Sequence, residues 1–179
     1  MTLTLLVILP FIGSILAGFF PHDARNREAI LSGAIATACL SIVLWYAPAI
    51  FSGQIIEHQI QWMPFLDLNI TFRLDGFAWL FALLVSLIGL LVVIYARYYM
   101  DPADPVPRFF AFFLVFMGSM LGVVTSGNVI QMVIFWELTS LSSFMLIAYW
   151  NHRPDARRGA RISLTITAGG GFCLLAAML

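Results

Sequence analysis

The chain has 179 residues, of which 61% are hydrophobic and 10% charged, with zero net charge and a mean hydropathy of +0.96. Soluble globular domains carry about 25% charged residues, so the composition excludes one and specifies a chain solvated largely by lipid. There is no lysine, all nine basic residues are arginine, and no basic patch with interleaved aromatics points to nucleic acid.

An apolar run of about 20 residues is needed to cross a ~30 Å hydrocarbon core. Six such runs predict an all-α polytopic membrane protein with six transmembrane helices in one domain, over residues 3–20, 29–51, 76–96, 109–126, 129–150 and 159–179. The first run lacks a positively charged leader, since Met1 to Leu5 is uncharged, and reads as a retained helix rather than a signal peptide. The last run ends on CLLAAML with no polar flank, which predicts that these residues are the N-terminal part of a longer protein.

The loops set the orientation. Arg25 and Arg27 lie in the first loop, Arg97 and Arg108 in the third, and Arg153, Arg157, Arg158 and Arg161 in the fifth; Arg73 alone lies in an even-numbered loop. Eight of nine arginines on one side make that side cytoplasmic by the positive-inside rule, with the N-terminus outside. The outer loop, residues 54–74, alternates apolar and polar residues, as in Leu68, Ile70, Phe72 and Leu74 against Asn69, Thr71 and Arg73. That period of two predicts a β-hairpin turning at Met63, Pro64 and Phe65. An isolated hairpin is marginal in water, so it must pack on the outer helix ends or on a neighbouring subunit. Asp75, just before the third run, is placed to cap that helix, with an ion-pathway role as the alternative. The third loop, DPADPVPR, is stiffened by three prolines. Gly118 and Gly122 form a GxxxG spacing in the fourth run.

The fifth run, FWELTSLSSFMLIAYW from Phe135 to Trp150, holds the one acidic residue inside any of the six segments, Glu137. A run centred near Ser140 puts it ~4 Å from the mid-plane. A charged residue there costs about 2.5 to 3.5 kcal/mol and almost always faces a bundle interior or a wet cavity. Desolvation disfavours the charged form, so a carboxylate so placed can take and give protons. The alternative is a neutral, hydrogen-bonded group that pins two helices together. At 100° per residue, Val133, Glu137, Ser140, Leu141 and Phe144 share a face, which makes Ser140 the hydroxyl best placed to assist, directly or through water. Thr139, Ser142 and Ser143 point elsewhere, toward their own helix carbonyls or a close neighbour.

Gly169, Gly170 and Gly171 interrupt the sixth run and mark either a tight crossing or a flexible point. Cys39 and Cys173 read as small buried hydrophobes, and His22, His58 and His152 are scattered in loops without metal-ligand spacing. Trp45, Tyr95, Tyr98, Tyr99, Tyr149 and Trp150 lie near helix ends, as an interfacial belt requires. No glycine loop for phosphates and no nucleophile with a base supports enzyme chemistry, and no cofactor site is expected.

Three stretches carry a resemblance: RLDGFAWLFALLVSLIGLLVVIYARYYM (Arg73 to Met100), FFAFFLVFMGSMLGVV (Phe109 to Val124) and, most specifically, WELTSLSSF. Together they resemble the N-terminal helices of the large A subunit of the Mrp-type multisubunit Na⁺/H⁺ antiporters. More distantly they are similar to the antiporter-like L subunit of respiratory complex I. The resemblance implies the first part of a proton-translocating fold of about fourteen helices. It also implies partner subunits in a hetero-oligomeric complex of the bacterial cell membrane, protons and Na⁺ as transported ions, and Glu137 as the protonatable residue. In the family this glutamate pairs with a lysine of the seventh helix, which this chain lacks. Ser126, Gly127 and Asn128 stand where relatives often have Asp before the asparagine. Two rivals remain: a proton-pumping subunit of a complex I-type NADH dehydrogenase, and a structural or assembly module with Glu137 permanently neutral.

Overall fold

The computed structural model describes residues 2–20, 25–63, 68–101, 104–150 and 152–178. Seven helices and one hairpin follow in order: α1 (Thr2–Gly18), α2 (Arg25–Trp45), α3 (Ala47–Phe51), β1 (Ile56–Met63), β2 (Leu68–Leu74), α4 (Gly76–Tyr99), α5 (Val106–Thr125), α6 (Val129–Ile147) and α7 (Pro154–Met178). Five helical stretches are long and apolar enough to cross a membrane, with α1 a shorter apolar helix beside them. The expected fold, six apolar helices with a hairpin after the second, is the one observed.

The boundaries differ where proline and capping chemistry act. The second predicted helix is interrupted at Tyr46, because Pro48 has no N–H to donate back to the preceding turn, and the chain re-forms as the short α3. α5 begins at Val106, three residues before its apolar run, since Pro107 sits in the first turn where a missing N–H costs nothing. α4 continues to Tyr99 and puts Arg97 in its last turn, where a cation meets the negative end of the helix dipole. Asp75 caps the other end of α4, its Oδ1 accepting from the Ala78 N–H at 2.9 Å.

α5 is the central helix, packed between α1 and α6 and also touching α2 and α4. In lipid no hydrophobic force distinguishes a neighbouring helix from a lipid tail, so contact depends on close van der Waals fit. Small residues supply it. The buried face of α4 is Ala78, Ala82, Ser86, Gly89, Val93 and Ala96. The two glycines of the GxxxG spacing serve different neighbours: Gly118 lies under Pro10 and Phe11 of α1, and Gly122 under the Phe135 ring of α6. Phe135 in turn meets Phe11 at 6.5 Å and Phe72 of β2 at 6.4 Å between ring centroids.

That aromatic contact docks the hairpin on the helix ends. β1 and β2 pair antiparallel from Ile56 opposite Leu74 to Met63 opposite Leu68, with a register shift between Gln61 and Met63. Met63 therefore belongs to the strand, and Pro64 and Phe65 of the expected turn lie outside the described residues. The inward side chains Phe72 and Leu74 are buried. The free edge of β2 is satisfied by the α5–α6 junction. Gly127 N–H donates to Thr71 O at 2.7 Å, Asn128 Nδ2 to Asn69 O at 2.7 Å, and Thr71 N–H to Gln131 Oε1 at 2.8 Å. From β1, the His58 ring lies 2.9 Å from the Thr4 hydroxyl of α1. Arg73 bridges Glu57 and Asp75 at 3.7 Å each, exposed pairs that contribute little.

One side chain departs from expectation. Cys39 is buried but Cys173 is exposed, because the outer face of α7 has no helix against it here. Tyr149, at a helix end as the belt requires, is buried against Phe109 near the start of α5. His22 lies outside the described residues.

Candidate functional site: a carboxylate between two helices

Asn128 opens α6, its Oδ1 accepting from the Gln131 N–H at 2.8 Å. With the helix running from Val129 to Ile147, its midpoint is Leu138, and Glu137 stands one residue away. At 1.5 Å per residue its Cα lies within about 2 Å of the helix centre along the axis, closer than the apolar run implied.

The residue is half-buried, but its Oε1 is closed from solvent and has no hydrogen-bond partner. What encloses it is α7. A Cβ built on Gly171 would overlap Glu137 Oε1 and come within 3.0 Å of its Cδ and 3.2 Å of Trp136 Cδ1. The glycine run is thus resolved residue by residue: Gly171 is buried beneath the carboxylate, whereas a Cβ at Gly169 or Gly170 would meet nothing within 4 Å. The composition of α7 leaves a notch at this level, and the Glu137 side chain fills it.

The surrounding hydroxyls are engaged elsewhere. Ser140 is buried and donates to the Trp136 carbonyl at 3.3 Å, not to Glu137. Thr139 donates to Trp136 O at 2.6 Å and Ser142 to Leu138 O at 2.7 Å, the back-bonding that relieves a hydroxyl in an apolar medium. An unpaired, enclosed carboxylate oxygen is expensive unless a proton, a cation or water joins it. The arrangement leaves one carboxylate oxygen open to such a partner at the α6–α7 interface. Among the described residues no group of three or more His, Cys, Asp or Glu is gathered for a metal ion.

A second carboxylate escaped the sequence reading. Glu28, in the first turn of α2, is fully buried with both oxygens unpartnered. Its place beside Arg25 and Arg27, one residue before the apolar run, made it look like part of a solvated loop.

Comparison with known proteins places this bundle of apolar helices in the family of antiporter-like membrane subunits. Residues 62–110 match the family model for the N-terminus of chain 5 of NADH-ubiquinone oxidoreductase (complex I), and residues 126–179 that for the NADH:quinone oxidoreductase/Mrp antiporter transmembrane region. Within that class, the chain matches the N-terminal part of the large A subunit of the Mrp-type antiporters. It is 52% identical over 177 residues to a Rhizobium meliloti (strain 1021) protein described as the probable A/B subunit of a K(+)/H(+) antiporter, covering 99% of this chain and 18% of the relative. It is 41% identical over 170 residues to the A subunit of the Na(+)/H(+) antiporter of Alkalihalophilus pseudofirmus, covering 94% of this chain and 21% of the relative. Among solved structures it is similar to a chain of the Mrp complex from Dietzia sp. DQ12-45-1b, with a TM-score of 0.83 and 29% identity over 99% of this chain and 19% of that one. The fold also matches a chain of an archaeal membrane-bound sulfane sulfur reductase, with a TM-score of 0.79 at 20% identity over 94% of this chain and 34% of that one. The chain spans about a fifth of the length of the curated relatives it matches.

Proposed function

We propose that this chain is the N-terminal part of the large subunit of a multisubunit cation/proton antiporter, with Na⁺ as the exchanged cation and Glu137 as its protonatable group. The observation that carries the reading is the enclosed, unpartnered Glu137 Oε1 near the middle of α6. The relatives named as Na(+)/H(+) and K(+)/H(+) antiporter subunits, and the likeness to an Mrp complex chain, support the assignment. The protein works with other antiporter subunits in a hetero-oligomer of the bacterial cell membrane. Its N-terminus and the hairpin, which carries Arg73, lie outside, and the other eight arginines lie in the cytoplasm.

Mechanistically, a proton arriving through transient water neutralises the Glu137 carboxylate. A cationic side chain brought near from beyond these helices stabilises the charged form and drives the proton off. That cation is not a lysine of this chain, which has none. Ser140 assists through water, since its hydroxyl is occupied by Trp136. Asp75 serves as a helix cap rather than a pathway residue, its Oδ1 held by the Ala78 N–H.

The test is Glu137→Gln in the full-length protein within the assembled complex. Proton-coupled cation exchange in proteoliposomes should be lost while the subunits still copurify; exchange at the wild-type rate would sink the reading. The complex I family match favours one rival, a redox-driven proton pump. Copurification of flavin and iron–sulfur partners would identify it.

A further inference from the structure

Glu28 is the most completely buried carboxylate among the described residues, with 0% exposure and no hydrogen-bond partner at Oε1 or Oε2. One turn along the same face of α2, Ser32 is also at 0%, and its Oγ has no partner. Among the described residues Ser86 of α4 shares this state. Thr37, Ser41, Ser119, Thr125 and Ser142 all donate to the carbonyl four residues back, whereas Ser32 does not. Two unmade polar bonds, in sequence positions i and i+4 on one buried face, leave a carboxyl and a hydroxyl for each other or for a shared water.

Among the described side chains, none brings a cation to Glu28; that of Arg25, three residues earlier on α2, lies outside them. α1 carries no titratable side chain. On α4 the inward residues are Val93, Ala96 and Met100, and Arg97 lies over the Tyr98 ring at 5.6 Å, while Tyr95, Tyr98 and Tyr99 are exposed. On α5 the inward residues are Val106, Phe110 and Phe113, and Arg108 is exposed and lies over the Phe112 ring at 5.4 Å. On α2 itself Arg27 is exposed. The adjoining apolar cluster, which contains Ala29, includes Tyr149, whose hydroxyl is also unpartnered. A full negative charge in such surroundings costs several kcal/mol, whereas a neutral acid needs only one acceptor and one donor.

We propose that Glu28, with the Ser32 hydroxyl, is a second proton-binding site of this chain, at the arginine-rich end of the bundle and separate from Glu137. The exchange is a simple one: a proton from the water on that side bonds to a Glu28 carboxylate oxygen to give the neutral acid, and the same bond breaks on release. The buried acid bonds Ser32 directly or through one water. Because Glu28 is enclosed by this chain's own helices, the site does not depend on the role given to Glu137.

Infrared difference spectroscopy on the assembled complex in lipid nanodiscs tests this. At neutral pH the wild type and Glu137→Gln should both show a protonated-carboxyl C=O band that is absent from Glu28→Gln. Glu28→Gln should assemble normally, because the amide mimics a neutral acid in shape. Ser32→Ala, which leaves the carboxyl in place, should keep the band and move it to higher frequency as the hydroxyl donor is lost. A Glu28→Gln spectrum identical to wild type, or a band unmoved by Ser32→Ala, would overturn the proposal. Loss of the band in Glu28→Gln alongside full exchange in Glu137→Gln would leave this site standing and remove the other.

Discussion

Glu137 and Glu28 show how differently two buried carboxylates announce themselves. Glu137 is flanked by apolar residues on both sides, so its cost in lipid is legible from the sequence. Glu28 follows two arginines at a helix start, and only the folded chain reveals that it is enclosed. Gly171 is a third case. Three consecutive glycines are equivalent in sequence, and the notch beneath the carboxylate singles out one. Gly171→Ala places a methyl where the Glu137 carboxylate lies. The obstructing atoms are the end of a flexible side chain, so the carboxylate swings away at a stability change within about 1 kcal/mol, partly offset by the better helix propensity of alanine. Exchange activity should nevertheless fall by up to about a hundredfold, the scale of a 1 Å misplacement of a reacting group. Gly169→Ala, whose Cβ meets open space, should change neither. Parallel thermal-shift and proteoliposome assays on the two variants separate these outcomes.

At the scale of elements, the apolar runs were easy to read and their ends were not. Run length reports the hydrocarbon thickness, whereas helix ends are set by caps, prolines and dipoles that extend beyond it: α5 and α7 start before their apolar runs, and Pro48 divides the second helix. The GxxxG spacing was visible, but not that its glycines face two different helices. Gly122 lies under Phe135, which is held by Phe11 and Phe72 and cannot retreat. Gly122→Ala should therefore overpack the α5–α6 crossing and cost about 1 to 3 kcal/mol, read as a lower melting temperature of the complex than that of Gly171→Ala. An unchanged melting temperature would show that the crossing relaxes. Hairpin docking follows the same logic: the period of two predicted the strands, but not that Gly127, Asn128 and Gln131 close the edge of β2.

Across the whole molecule the helices alternate in direction, as the Trp79 Nε1 bond to Val43 O at 2.8 Å shows for α4 and α2. Hairpin, α1 start and α5–α6 junction share one end; the arginine-bearing starts of α2, α5 and α7 and the end of α4 share the other. An impermeant thiol reagent checks which end is which. With Cys39 and Cys173 replaced by alanine, Gln54→Cys should react in intact cells and Arg157→Cys only after permeabilisation; the converse pattern would invert the orientation.

The amino-acid order alone determined the lipid environment, the number of apolar helices, the hairpin and the unusual position of Glu137. Each depends on local composition and period, which a short window of residues contains. Only the tertiary structure decided which glycine makes room for that carboxylate, where Ser140 donates, and that Glu28 is enclosed at all. These depend on which atoms from distant parts of the chain occupy the same few ångströms, and no local pattern encodes that.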